Sequence, residues 1–250
     1  MSLAPPPVAL VTGAARRIGA VVARTLHDAG YSVAIHYRSA QGDAEALAAE
    51  FERARPGTTL LLRADLDAFD RLPELVAQTV GRFGRLDALV NNASTFIPTG
   101  LGTTTPAQWD ALFASNARAP YFLSQAAAPH LRAARGGIVN LVDIYAERPK
   151  RGHAVYCMAK AALLMMTRAL ALELGPEVRV NAVSPGAILW PEVDGVAAVT
   201  PAQQAMLDRT PLGRTGTPDE IAEAVRWLLQ DAHYSTGQVL HLDGGRMIEG

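Results

Sequence analysis

Cysteine is almost missing from this chain. Cys157 is the only one among 250 residues, which excludes an intramolecular disulfide and any cysteine cluster able to hold a metal, and fits a reducing compartment. Net charge is almost missing too. The 23 Lys and Arg stand against 24 Asp and Glu, leaving −1 at neutral pH, so no global field attracts nucleic acid or an anionic membrane. Small basic clusters such as Arg16-Arg17 and Lys150-Arg151 read as local, solvated features. No basic stretch followed by an apolar one opens the chain, so residues 1–7 are expected to form a short flexible arm and not a signal peptide. No uninterrupted apolar run reaches the ~18 residues that a spanning helix requires. There is no internal repeat and no low-complexity linker. The expectation is a soluble, cytoplasmic protein folded as one domain over residues 1–250, without a metal, nucleic-acid or membrane partner.

What is present is apolar sequence in short, regularly spaced runs. Hydrophobic residues make up 49% and charged residues 19%, enough to bury a large core. Val8–Thr12, Ser32–Tyr37, Thr59–Arg63, Ala88–Asn91, Gly137–Val142, Arg179–Ser184 and Val239–Leu242 read as buried strands, rich in Val, Ile and Leu. Helical stretches lie between them at Ile18–Ala29, Asp43–Arg53, Leu72–Phe83, Pro106–Ala133, His153–Gly175 and Asp219–Asp231. This alternation predicts an α/β fold, a doubly wound parallel sheet of Rossmann type with helices on both faces. The stretch Tyr156–Leu174 is too apolar for one buried face. Either loops cover its second face or that face joins subunits, and the second reading is preferred. Residues 187–210, with Trp190, Pro191 and Gly195 and weak periodicity, read as an irregular lid over a substrate.

Two places carry cofactor chemistry. The first strand runs into Thr12-Gly13-Ala14-Ala15-Arg16-Arg17-Ile18-Gly19 and then a helix. Small residues there let the backbone approach a pyrophosphate, and the helix N-terminus offers unpaired N–H groups. The spacing differs from Gly-x-Gly-x-x-Gly, so a plain strand-to-helix turn stays open. The second strand ends in His36-Tyr37-Arg38-Ser39, with no carboxylate for a ribose 2′-hydroxyl. A guanidinium and a hydroxyl suit a 2′-phosphate, which favours NADP over NAD; a solvated strand-end charge is the alternative for Arg38. Further on, Tyr156 and Lys160 are four residues apart, which sets phenol and ammonium one helical turn apart on one face. A cation so near is expected to lower the phenol from its usual pKa of about 10 and make it a proton donor.

Together these residues resemble the short-chain dehydrogenase/reductase family across nearly the whole chain. The ordered set is Thr12-Gly13 with Gly19, Asp65-Leu66, Asn91-Asn92-Ala93, Asn116, Tyr156 with Lys160, Asn181, Pro185-Gly186 and Asp243-Gly244-Gly245. The resemblance implies a single-domain Rossmann-type fold, a dimer or homotetramer, and hydride exchange with NAD(P). Three departures point one way within that family. Asp143 stands thirteen residues before Tyr156, where its ordinary alcohol dehydrogenases carry Ser; Arg17 replaces the middle glycine of the cofactor turn; and Asn91-Asn92-Ala93-Ser94 is followed by Phe96. These look like the pteridine reductases and the related bacterial dihydromonapterin reductases.

That resemblance implies roles residue by residue. Gly13, Arg16, Arg17, Ile18, Gly19, Tyr37, Arg38, Ser39, Asp65, Leu66, Asn92, Ala93, Ser94, Pro185 and Gly186 would contact NADPH. Lys160 would bond the nicotinamide ribose and lower the Tyr156 pKa, Tyr156 would deliver or relay a proton, Asp143 would take the serine's place, and Asn116 would hold a water. Phe96 would stack on the pterin, with Ser94 and Arg17 bonding pterin and phosphates; a core anchor for Phe96 and a surface charge for Arg17 are the alternatives. The run Pro185-Gly186-Ala187-Ile188-Leu189-Trp190 lacks the Thr that commonly binds the nicotinamide carboxamide, so backbone around Ile188 would serve and Trp190 would help close the substrate pocket. The expected activity is NADPH-dependent reduction of a dihydropterin, or of an oxidised pterin or folate. A carbonyl reductase for ketones or quinones and a non-catalytic NADP-binding regulator are the rivals.

Overall fold

Strands that are apolar at every position need cover on both faces, and that requirement organises the chain. In the computed structural model, which describes residues 5–188 and 200–248, seven strands form one parallel sheet. They are β1 (Val8–Val11), β2 (Ser32–Tyr37), β3 (Thr59–Arg63), β4 (Ala88–Asn91), β5 (Gly137–Leu141), β6 (Arg179–Pro185) and β7 (Val239–Leu242). Their order is β3-β2-β1-β4-β5-β6-β7, every neighbouring pair parallel. The expected strands hold to within a residue at each end.

The helices are α1 (Arg17–Asp28), α2 (Gln41–Ala54), α3 (Leu72–Phe83), α4 (Pro106–Phe113), α5 (Ala119–Ala134), α6 (Ala154–Leu174), α7 (Pro201–Leu207) and α8 (Pro218–Gln230). Ala9 and Val11 of β1 join one core with Val22 and Leu26 of α1, Leu47 of α2 and Val225 of α8. Val8 and Leu10, pointing the other way, join Leu75 of α3, Leu123 of α5 and Leu170 of α6. Each such side chain taken from water contributes roughly 1.5–3 kcal/mol. Because β2 and β3 lie on one side of β1 and β4 on the other, the chain reverses direction between β1 and β4. A crevice therefore opens over their C-terminal ends, where doubly wound sheets bind ligands.

Three expectations are corrected. The single helix expected over Pro106–Ala133 is broken by a π-turn at Ala114–Arg118. Pro120 has no N–H to give the Asn116 carbonyl, and the Ala119 N–H reaches back five residues to Ala114. Within the segment read as an irregular lid, α7 is regular, opened by a capping box in which Thr200 and Gln203 satisfy each other's backbone N–H. Trp190 and the central part of that segment lie outside the described residues. The Pro7 end of the expected arm is tied down, its carbonyl accepting from Ser32 N at 2.8 Å. The expectation of no uninterrupted apolar run of spanning length stands, but α6 is by length and mean composition apolar enough to cross a membrane. Here it is a core helix, with Tyr156, Lys160, Leu163, Leu164 and Leu170 buried in the fold.

Candidate active site

The turn after β1 is built by side chains from three strands. Thr12 Oγ1 accepts from the backbone N–H of Asn92 (2.9 Å) and Ala93 (3.0 Å), and Asn92 Nδ2 donates to the carbonyls of Thr12 (2.8 Å) and Gly13 (3.1 Å). Gly13 has φ +62°, and its N–H donates to His36 Nδ1 at 3.1 Å. The other ring nitrogen of His36 lies 3.2 Å from the Ala64 carbonyl, so the imidazole is neutral with its proton on Nε2. Burial pushes its pKa down to about 4, and the brace therefore persists through the physiological range. His36 has a role that its place in β2 did not reveal by sequence. Arg17 takes φ +54° at the first position of α1. A side chain in that left-handed conformation costs roughly 1–2 kcal/mol. Arg16 is spent on Asp43, with Nε to Oδ2 at 2.7 Å on the surface.

At the end of β5, Asp143 does two jobs. Its Oδ1 accepts from Tyr145 N (2.9 Å), capping the 3₁₀ turn Ile144–Ala146, and its Oδ2 accepts from the Tyr156 hydroxyl (2.8 Å). Lys160, on the same face of α6, donates through Nζ to the Leu141 carbonyl at 2.7 Å and lies 5.8 Å from the centre of the Tyr156 ring. The expected acidification of Tyr156 by Lys160 is overturned. Burial, and then the charge and hydrogen bond of Asp143, push the phenol well above its usual value. Burial also raises Asp143, against the Tyr145 N–H, the Tyr156 hydroxyl and the charges of Lys160 and Arg246. Lys160 is lowered to about 8 by its complete burial, with Asp143 opposing. The pair thus holds a proton tightly at the wall of the site, with a carboxyl able to carry one at higher pH than usual.

Ser94 Oγ donates to Asn116 Oδ1 (2.7 Å), whose Nδ2 in turn donates to the carbonyls of Thr95 (2.9 Å) and Leu112 (3.0 Å). Asn116 is wholly buried, and its side chain positions Ser94. Phe96 is no core anchor. It is 49% exposed, stacked on His153 at 4.6 Å and edge-on to Tyr156 at 4.7 Å.

One cleft of ≈ 940 Å³ gathers these parts. Its walls include Gly13, Arg16, Arg17, Ile18, Gly19, Tyr37, Arg38, Ser39, Asp65, Leu66, Asn92, Ala93, Ser94, Phe96, Asp143, Tyr156, Lys160, Pro185, Gly186 and Ile188. Of the expected site residues, only Asn116 is not in the wall and only Trp190 is not described. The cleft also takes in residues that sequence reading did not assign: His36, Tyr145, Lys150, Gln203, Met206 and Arg246. Only the capping box before α7 was a usable signal for any of these.

The fit to a dinucleotide rests on the turn. A Cβ on Gly19 would stand 2.2 Å from the Gly13 carbonyl oxygen, and one on Gly13 would stand 3.0 Å from Ala93 Cα, so the backbone is folded as tightly as such a cradle requires. At the far side of the crevice, the exposed Arg38 and Ser39 end β2 without a carboxylate between them. Among the described residues no cluster of His, Cys, Asp or Glu could hold a metal.

Sheet order, glycine turn and the Asp143–Tyr156–Lys160 group define an oxidoreductase that binds a nicotinamide cofactor at the switch point. Residues 13–246 match the family model described as Enoyl-(Acyl carrier protein) reductase, and the chain belongs to the short-chain dehydrogenase/reductase family. It is 38% identical to pteridine reductase 1 of Leishmania tarentolae, over 96% of both chains. It is 39% identical to a Streptomyces violaceoruber protein named as a ketoacyl reductase of the granaticin polyketide synthase, over 96% of this chain and 95% of that one. It is 34% identical to a 3-oxoacyl-(acyl-carrier-protein) reductase of Staphylococcus aureus, over 95% of this chain and 96% of that one.

Proposed function

We propose that this oxidoreductase is an NADPH-dependent pteridine reductase, taking a dihydropterin, or its oxidised form, to the tetrahydro state. The observation that carries the reading is the hydrogen bond from the Tyr156 hydroxyl to Asp143 beside the half-exposed ring of Phe96. NADPH, when bound, supplies a hydride for a ring carbon. The turn Gly13–Gly19, Asp65, Leu66 and Lys160 would hold it, with Arg38 and Ser39 on the 2′-phosphate.

The proton for the adjacent ring nitrogen is the chain's own work. Tyr156 carries it, and Asp143, its carboxyl raised by burial, restores it. Phe96 offers an apolar face to a flat ring. A ketone makes a different demand, since its oxygen becomes an anion that needs a hydrogen-bond donor. Position 143 has no hydroxyl to offer it: the carboxyl is already the acceptor of the Tyr156 hydroxyl, and once it has passed its proton to Tyr156 it would oppose that charge. Two relatives are named for ketoacyl substrates, so the deciding experiment is NADPH oxidation against dihydropterins, oxidised pterins, dihydrofolate, a 3-oxoacyl thioester and simple ketones. Turnover confined to ketones or thioesters would overturn the reading, and tight NADPH binding with no turnover would indicate a regulator.

The cofactor choice has its own test. Arg38→Ala should weaken NADPH by about 10- to 100-fold and leave NADH nearly unchanged, because only the former loses a charge-assisted contact. Equal weakening, read by titration of bound cofactor fluorescence, would remove Arg38 from the phosphate.

We further propose a homotetramer or dimer built on α6. Met158, Met165 and Leu172 stand 44%, 60% and 86% exposed along its outer side, an apolar stripe at helical spacing. Light scattering at micromolar concentration should report an oligomer, and a monomer would remove the assignment.

A further inference from the structure

Lys150 stands in a basic pair that by sequence reads as solvated, yet it lines the cleft. So does Arg246, ninety-six positions later and just beyond β7. Both cations lie against one aromatic ring: Lys150 Nζ is 5.1 Å and Arg246 Cζ 5.8 Å from the centre of Tyr145. Tyr145 is itself held in the cleft by the Asp143 cap.

Neither cation makes an ion pair with a carboxylate among the described residues, although the charge of Arg246 is felt by Asp143. Among the described residues, the acids closest along the chain are already taken. Asp143 is bound to Tyr145 N and the Tyr156 hydroxyl, Glu147 pairs with His241 at 2.7 Å, and Asp243 accepts from the N–H groups of Gly245 and Met247. Among the described residues the Arg246 guanidinium donates only to the sulfur of Met206, at 3.2 Å, which is a weak acceptor. A cation–π contact does not replace the strong acceptor that a half-buried ammonium or guanidinium wants.

The two positions are nonetheless built. The Arg246 carbonyl accepts from Arg148 Nη1 at 2.5 Å, and Lys150 is fixed by its own N–H on Cys157 Sγ (3.4 Å) and its carbonyl on His153 N (3.1 Å). Two cations with anchored backbones thus meet at the Tyr145 ring, in the same cleft as Asp143, Tyr156 and Phe96.

We infer that Lys150 and Arg246 form a specificity subsite for an anionic group, a carboxylate or phosphate, on the side chain of the substrate. The inference rests on the pterin reading, and it selects among pterins: the preferred substrate carries negative charge at the end remote from the ring. The ring goes to Phe96 and Tyr156, and the tail runs past Tyr145 to the two cations. Electrostatic attraction of this kind is screened by salt, so preference for the charged substrate should fall as ionic strength rises.

The test compares kcat/KM for three substrates in each preparation: 7,8-dihydrobiopterin, with a neutral tail, 7,8-dihydrofolate, with a glutamate tail, and the monophosphate of 7,8-dihydroneopterin. The readout is the ratio of charged to neutral substrate, from which any general loss of folding or proton transfer cancels. The wild-type ratio should exceed one for at least one charged substrate. Lys150→Met and Arg246→Gln should each lower it about 10-fold, and Lys150→Glu should invert it. A loss for dihydrofolate alone assigns a carboxylate, and one for the phosphate ester alone assigns a phosphate. A ratio that does not move in either neutralised variant overturns the subsite and leaves pterin reduction standing. Absence of turnover of every dihydropterin by the wild-type enzyme instead overturns the pterin reading, and the subsite with it.

Discussion

Asp143→Asn should lower kcat by about 10²- to 10⁴-fold with little change in KM, the loss typical of a general acid or base that no longer titrates. The amide keeps an oxygen for the Tyr145 N–H, so the 3₁₀ turn retains its cap. What it cannot do is hold the proton that Tyr156 shares with Oδ2. Stability should move the other way. Burial raises the folded-state pKa of Asp143, so between the ordinary carboxyl value and that raised one the native protein binds more protons than the unfolded chain. Its contribution to stability therefore falls as pH climbs through that window, and above it the buried charge remains a cost. Asn carries no such cost, so the melting temperature at pH 7 should hold or rise, and the variant's stability should vary less with pH below neutrality. Measuring kcat and melting temperature on one preparation separates the roles. A lower melting temperature with intact turnover would make Asp143 a turn cap only, and would remove the main argument for a pterin over a ketone.

The second large effect is expected at Gly19. Alanine there would place its Cβ 2.2 Å from the Gly13 carbonyl oxygen and 2.5 Å from Asn92 Nδ2. Neither neighbour is free to yield, since Gly13 is held by His36 and Asn92 by the Thr12 and Gly13 carbonyls. Overpacking against fixed backbone costs about 3 kcal/mol, which in a protein of this size lowers the melting temperature by about 6–12 °C. NADPH binding should weaken at least 100-fold, because the turn must open. Gly81→Ala is the control: it lies in α3 with nothing within 4 Å of the added methyl, and should stabilise by about 0.5–1 kcal/mol. Normal cofactor affinity in folded Gly19→Ala would show that the turn is not the cradle described.

The sheet was legible because its strands are short, apolar at every position and separated by helices, a pattern that each segment carries on its own. The spacing of Tyr156 and Lys160 on one helical face was equally local, as was the missing carboxylate after Tyr37. Other features depend on what the chain brings together over long separations. Asp143, thirteen residues before Tyr156, becomes its hydrogen-bond acceptor only when β5 and α6 pack, and the same burial raises the phenol that a neighbouring lysine was expected to acidify. The amide of Asn116 reaches Thr95, Leu112 and Ser94 beside a π-turn for which Pro120, lacking an N–H, was the sole local hint. His36 reads as one more strand residue until Gly13 lies against it, and Lys150 reads as solvated until the turn after β7 sets Arg246 at the same tyrosine ring. Periodicity and spacing are properties of neighbouring residues, so sequence alone determined the strands, most of the helices and the placing of Tyr156 and Lys160 on one helical face. A pKa, a partner or a cleft wall depends on dielectric and distance across the packed fold, and only the tertiary structure decided those.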